Sequence, residues 1–500
     1  MNTFKRKSLC VALASAGALG VAATAQAVIV NPNGLGSVLI YPYYTVNNDK
    51  PGNAFNSLLS VVNTSDSVTA VKVRFLEGKD SREVLDFNLF LSPYDVWTAG
   101  IVPTLAGAKL ITFDKSCTIP SIPSGGVDFV NFAYVGSNSD KGGDGLDRTK
   151  EGYVEIITMA NFFSGSTVAD GATHSGGVPS CKGVTDSNAA NEVSDFIPSP
   201  GPLFGGISLI DVLSGTDYTE DAVALDSFVS ANSFTTLYQP SGDVKPDLRD
   251  ATPISQVLIV NPAGISGLQG VTTLFTSDWG VANGCTGATP PKGCDADAVS
   301  AVLMHNQIMN EFVLDTGTKS GTDWVATMPT KRFYINAPGT GNAPRLFQRN
   351  FNGTAGSCDD VTLFIIDREE FVAPTSFSPP PPSQTNALCW EANVVSFAGS
   401  NVLNSENTTN IPTTFQNGWL KLGFPLIPGQ GLAHNLPNIA TTITTVAGGS
   451  TAGNIRTYFG LPVIGFAVQS FNNGTLPGAV GPIQSSYGGN FVQKATTRIQ

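Results

Sequence analysis

The chain has 500 residues and a formal net charge of −12, with 41% apolar and only 13% charged residues. That acidic balance excludes a nucleic-acid binder, which needs a basic surface to meet phosphates. The length suits two or three domains, and the 53 glycines and 32 prolines suit many turns between short strands.

Lys5, Arg6 and Lys7 precede an uncharged apolar run, residues 9–23, followed by Ala25-Gln26-Ala27. This order is that of a secretory signal peptide over residues 1–27, cleaved before Val28. The run is shorter than the roughly 20 residues a membrane-spanning helix needs. No later stretch is long and apolar enough, so no transmembrane segment is expected after cleavage. Cleavage removes three basic residues and no acid, leaving the mature chain more acidic still.

Residues 37–46 read as a first strand, rich in β-branched and aromatic residues, with Pro42 marking an edge or a bulge. An apolar run at 57–62 is followed by turn chemistry at 63–66. Val71, Val73 and Phe75 then alternate with Lys72 and Arg74, which places apolar side chains on one face and charges on the other. After a turn at 77–80, strands resume at 84–91 and 96–102. Four strands joined by short polar turns predict an antiparallel sheet, one half of a sandwich. Further strands are expected at 127–135 and 152–159, around a polar loop at 137–150. Residues 167–194 read as a long exposed loop, 203–213 as a strand, and 222–225 as a strand or short helix.

Residues 239–253 are polar and proline-bearing, which predicts a boundary between a domain at 28–245 and a second β-rich unit at 254–500. A single interleaved unit is the alternative. Strands follow at 254–260 and 271–275. Residues 296–313 predict a helix: they hold no Gly or Pro, Asp295 or Asp297 can cap them, and Val299, Val302, Leu303, Met309 and Phe312 form an apolar face. His305 reads there as packed or capping. Strands are expected again at 324–328, 332–335, 361–366, 392–397, 419–424, 440–446 and 461–471. The proline run at 379–382 reads as an extended loop. No short-period repeat is present, which argues against a solenoid or propeller. The expected fold is mainly β: an antiparallel β-sandwich of immunoglobulin-like architecture, with long loops and at least one helix.

Cys10 leaves with the signal. Cys117, Cys181, Cys285, Cys294, Cys358 and Cys389 remain, an even set that suggests disulfides in an exported chain. Pairing between sequence neighbours is the simplest arrangement. There is no CxxC, and His174, His305 and His434 lie far apart, so the spacing does not suggest zinc. GxSxG, HExxH and GxxxxGK[ST] are absent. Asp367, Glu369 and Glu370 follow an apolar strand, where a polar turn with Arg368 paired locally is a simpler reading than a carboxylate pair for glycoside cleavage. No enzymatic activity is expected.

One loop matches a cation site in part. Counting from Asp140, acids stand at the first and fifth positions of a calcium loop (Asp140, Asp144), glycine at the sixth (Gly145) and Glu151 at the twelfth; Asp147 adds a fourth acid. Gly142 stands where a ligand belongs. Calcium is the one cofactor the sequence suggests, with an ordinary acidic turn as the alternative.

The phrases YPYYT, VVNTSDSVTAVKVRFLEGKDSREVLDFNLFLSPYDVWTA, EGYVEII, DWVATMPTKRFY, DREE, CWEANVVSF and GLPVIGFAVQSF span most of the mature chain. Together they resemble a group of exported, uncharacterised proteins of Gram-negative bacteria that carry the label cell surface protein. The resemblance implies a surface or secreted role and brings no catalytic residue or ligand with it. The expected function is an exported cell-surface or extracellular protein, structural or adhesive, meeting cell-envelope components or copies of itself. A calcium- or glycan-binding module is the alternative, and a secreted hydrolase a third reading.

Overall fold

A computed structural model describes residues 27–48, 54–190, 196–197, 201–229, 237–260, 262, 268, 270–280, 294–335, 346–372, 386–425, 434–445, 450–478 and 481–500. Residues 1–26, which hold nearly all of the expected signal peptide, Cys285 and the proline run at 379–382 lie outside the described residues.

The fold is mainly β, built of antiparallel sheets with few helices. The first half is a two-layer sandwich. Its eight-stranded sheet includes, in order, Val223–Asp226, Val38–Thr45, Glu151–Phe162, Val68–Glu77 and Glu83–Leu91. Its six-stranded sheet is centred on Leu203–Asp211, Phe55–Asn63 and Val96–Pro103. Val71, Val73 and Phe75 from one sheet and Leu59, Val61 and Trp97 from the other share one buried cluster. Alternation with a period of two aims these side chains inward from both layers.

The opposite face of the larger sheet is not wet. Every residue of Val68–Glu77 and of Glu151–Phe162 is buried. Two short helices, Thr167–Ala172 and Lys182–Ala190, lie over one end of it, with Val168, Ala169 and Val184 packed on Ala70, Phe90 and Met159. These helices occupy the segment expected to be a loop. The Cys117–Cys181 disulfide fastens them to the sheet.

Among the described residues the second half holds two five-stranded sheets, one of four strands and two of two strands. Ala392–Phe397, Ser320–Thr327 and Phe466–Pro477 form the middle of one sheet, and Thr408–Ile411 joins Ala392–Phe397 in parallel. The strand expected at 461–471 is broken into Leu461–Pro462 and Phe466–Pro477. Gly465 lies at the break, where an added Cβ would stand 1.9 Å from the Val325 carbonyl oxygen.

Three further expectations are corrected. The helix predicted over 296–313 covers only Asp297–Leu303, and Gln307–Val313 is a strand. Neither Asp295 nor Asp297 caps the helix, whose N-cap is Ala296. Ile308 and Phe312 are core residues four apart, a spacing that suits one helical turn and also one face of a strand. Hydrogen bonding to Asn417–Gly423 on one side and Lys494–Thr496 on the other decides for the strand. Residues 332–335 form a short helix, Arg332–Ile335. Only Val127–Asp128 of the strand expected at 127–135 forms, ahead of a 3₁₀ turn at Phe132–Tyr134.

Candidate functional site

The turn Glu77-Gly78-Lys79-Asp80-Ser81-Arg82 leaves the larger sheet and enters the second half. Glu77 shapes it locally: its carboxylate accepts the backbone N–H groups of Lys79 (2.9 Å), Asp80 (2.9 Å) and Arg82 (3.0 Å). Gly78 is clamped at the crossing. Its N–H donates to the Glu151 carbonyl (3.0 Å), and its carbonyl accepts from Ala392 N–H (2.9 Å).

Around this turn lies a network of buried charge. Arg148 grips both carboxylate oxygens of Asp140 (2.9 and 2.8 Å), reaches Glu77 (2.9 Å), and stacks on Tyr134 at 4.1 Å. Arg82 pairs with Asp80 (2.8 Å). Tyr153 donates its hydroxyl to Ser81 Oγ (2.8 Å), and Ser81 Oγ donates to Glu391 (2.9 Å). On the neighbouring strands Arg74 bridges Glu83 and Glu155, both at 2.8 Å, and Lys72 pairs with Asp86 at 2.7 Å. Lys331, fully buried, pairs with Asp359 at 2.8 Å. Such pairs persist in a low-dielectric interior only when geometry and added hydrogen bonds offset desolvation.

Burial pushes the Asp80 carboxyl up to about 7, with Arg82 pulling the other way. Glu155 is also raised to about 7 by burial, against the pull of Arg74. Glu391 stands well above the usual carboxylate range because it is buried beside Asp80. For Asp140 burial works upward, but the Arg148 guanidinium and the Gly142 amide outweigh it and hold the group below its ordinary value.

The acids expected to form a calcium loop do not converge. Asp140 is held by Arg148, which supplies the positive charge a cation would have brought. Glu151 faces inward, accepting the Tyr43 hydroxyl (2.5 Å) and the amides of Glu406 (3.0 Å) and Asn407 (3.2 Å). Asp144 and Asp147 are exposed. Among the described residues no group of three or more His, Cys, Asp or Glu is placed to hold a metal ion. Asp367 caps a turn, accepting the amides of Glu369 and Phe371, while Arg368 pairs with Glu369. His305 is packed: burial lowers its imidazole to about 4. Cys117 joins Cys181 and Cys358 joins Cys389, so sequence neighbours pair; Cys294 is disulfide-bonded as well.

Above the charge network opens a cleft of about 970 Å³. Arg82 and Arg332 line it, with Arg74, Glu83 and Asp140 also on its wall. Arg332 Nη1 donates to the Ser81 carbonyl at 2.6 Å. Phe132, Val130, Val244 and Phe351 give an apolar side, and Ser137, Asn138 and Ser139 a polar one. A second cleft, about 800 Å³, lies beside the Cys358–Cys389 bridge and is lined by Arg349, Asn352, Asp360 and Asn410 among others.

Reading the residues one by one missed this site, although the chain carried a signal. Arg74 and Glu155 are charges inside strongly apolar strands, where a solvated face is the ordinary explanation. Distant phrases meet here: Tyr43 of YPYYT, the EGKDSR turn, Glu151, Tyr153 and Glu155 of EGYVEII, Lys331 and Arg332 of MPTKRFY, and Glu391 of CWEANV. Comparison with known protein families, with curated proteins and with solved structures finds no match.

Proposed function

We propose that the chain is an exported protein of the cell surface with a structural or adhesive role. The observation that carries this reading is the junction. Several of its acids and bases are spent on one another: Asp140 on Arg148, Glu83 and Glu155 on Arg74, Asp359 on Lys331. Buried ion pairs of this kind favour one geometry of the turn, which suits a rigid scaffold more than a reaction centre that must exchange protons with a substrate. Disulfides in both halves favour an oxidising compartment. No helix among the described residues is long and apolar enough to cross a membrane. The resemblance to exported cell surface proteins points the same way.

The test is location. Immunoblots of washed envelopes and of culture supernatant should find the protein in many copies on the envelope, with Val28 as its first residue and no thiol open to labelling. Protein confined to the cytosol with Met1 retained and free thiols would refute the reading.

A further inference from the structure

We propose that the cleft above the junction binds a carboxylate-bearing sugar, a uronate unit of a glycan, through Arg332 and Arg82. The inference goes beyond a surface role, and either can fail without the other.

The cleft's charges are not equally available. Glu83 is committed to Arg74, Asp86 to Lys72 and Asp140 to Arg148. Arg82 keeps 29% of its side chain exposed while pairing with Asp80 at 2.8 Å and, more loosely, with Asp140 at 3.6 Å, so it plays the lesser part. Arg332 differs from the other cations of the wall. Its one hydrogen bond goes to a neutral carbonyl, that of Ser81, and it makes no ion pair within 4.0 Å among the described residues, although its charge acts on the buried Glu155 and Glu391 carboxyls. A guanidinium carries more donors than that bond uses, and its planar fork matches a carboxylate.

The remaining walls suggest what the carboxylate is attached to. Phe132 is 75% exposed, with Val130 and Val244 also open beside it, so an aromatic ring and apolar neighbours face the cleft unshielded. Such a surface suits the C–H face of a pyranose. Asn138 and Ser139 add amide and hydroxyl groups for sugar hydroxyls. The volume, about 970 Å³, falls within the range of roughly 300–1,000 Å³ typical of small-molecule sites. A fatty chain would leave the open donors of Arg332 unmatched, and a neutral sugar would offer them no charge-assisted hydrogen bond.

Isothermal titration of the purified mature chain with trigalacturonate, neutral galactotriose and benzoate tests this. Trigalacturonate should bind, more weakly as salt is raised, and galactotriose should bind about tenfold or more weakly than trigalacturonate, the cost of a lost charge-assisted hydrogen bond. Arg332→Gln should weaken trigalacturonate by the same factor. Phe132→Ser, at an exposed position, should weaken it several-fold at an unchanged melting temperature, and it carries the test if the arginine variant fails to fold. Four results would overturn the proposal: no binding at millimolar trigalacturonate, equal binding of galactotriose, benzoate binding as tightly as trigalacturonate, or wild-type affinity in a folded Arg332→Gln or in Phe132→Ser.

Discussion

Arg74 stands between Val73 and Phe75 in a strand that is buried on both faces, and its side chain is 1% exposed. Alternation in the sequence assigns Lys72 and Arg74 correctly to the face opposite the valines. It cannot say what covers that face, because a period of two separates two sides without specifying the environment of either. The cover comes from elsewhere: Glu155 from a neighbouring strand, and the Asp243 carbonyl, which accepts from Lys72 at 2.8 Å. A buried cation with two carboxylates is costly to break, since removing one partner strands the others' charge. Arg74→Leu should therefore lose about 3–5 kcal/mol in urea unfolding, as expected for a broken buried pair. Lys182→Ala, which breaks the exposed Lys182–Asp186 pair, should stay within about 0.5 kcal/mol. Similar small losses in both would mean that the buried pairs do not hold the face together.

At the scale of elements, strands with their own local pattern were legible. Residues 392–397 form a strand with the expected bounds, Ala392–Phe397, and the four strands expected between 57 and 102 are present within a few residues at each end. They do not form the one sheet expected: Val68–Glu77 and Glu83–Leu91 pair in the larger sheet, while Phe55–Asn63 and Val96–Pro103 pair in the smaller, because the turns between them cross from one layer to the other. Short helices were not. Arg332–Ile335 is a single turn, too short to show a 3.6-residue period, and its Tyr334 is placed by a hydrogen bond to Asp297 at 2.8 Å. The helices Thr167–Ala172 and Lys182–Ala190 are six and nine residues long and depend on tertiary anchoring, because isolated helices of this length are marginal in water. Their anchor is the Cys117–Cys181 bridge, which closes a sequence separation of 64 residues. Replacing both cysteines by alanine should cost about 4 kcal/mol on the chain-entropy account of such a loop. Limited proteolysis should then cut first within 167–190. An unchanged urea midpoint and unchanged cleavage would show that packing on Phe90 and Met159 suffices.

For the whole molecule, the question is whether residues 28–245 and 254–500 could live apart. Residues 239–253 look like a linker because they are polar and carry prolines. In the structure they lie across the charged face of the larger sheet: the Gln239 carbonyl accepts from Asn88, the Asp243 carbonyl from Lys72, and Leu248 is buried. The polar composition serves a polar surface. The cores are shared as well. Val325, Val394 and Phe466 from the second half belong to the cluster inside the first sandwich, while Val38, Ile40, Tyr153 and Leu225 from the first half belong to the large cluster of the second. Backbone bonds cross repeatedly, as from Val28 N–H to Ile254 O (2.8 Å), Gln256 N–H to Val28 O (3.0 Å) and Ala392 N–H to Gly78 O (2.9 Å). Thr327 donates its hydroxyl to the Pro42 carbonyl at 2.6 Å. Splitting the chain at 245 would expose these apolar side chains and strand the buried charges of the 77–82 turn, each an unfavourable change of the same sign. Residues 28–500 should therefore unfold in a single calorimetric transition whose enthalpy equals the van't Hoff value. Residues 28–245 expressed alone should aggregate or stay unfolded. Two separated transitions, or a soluble monomeric 28–245 fragment with a dispersed amide spectrum, would show that the halves fold independently and that their shared core is a docking contact.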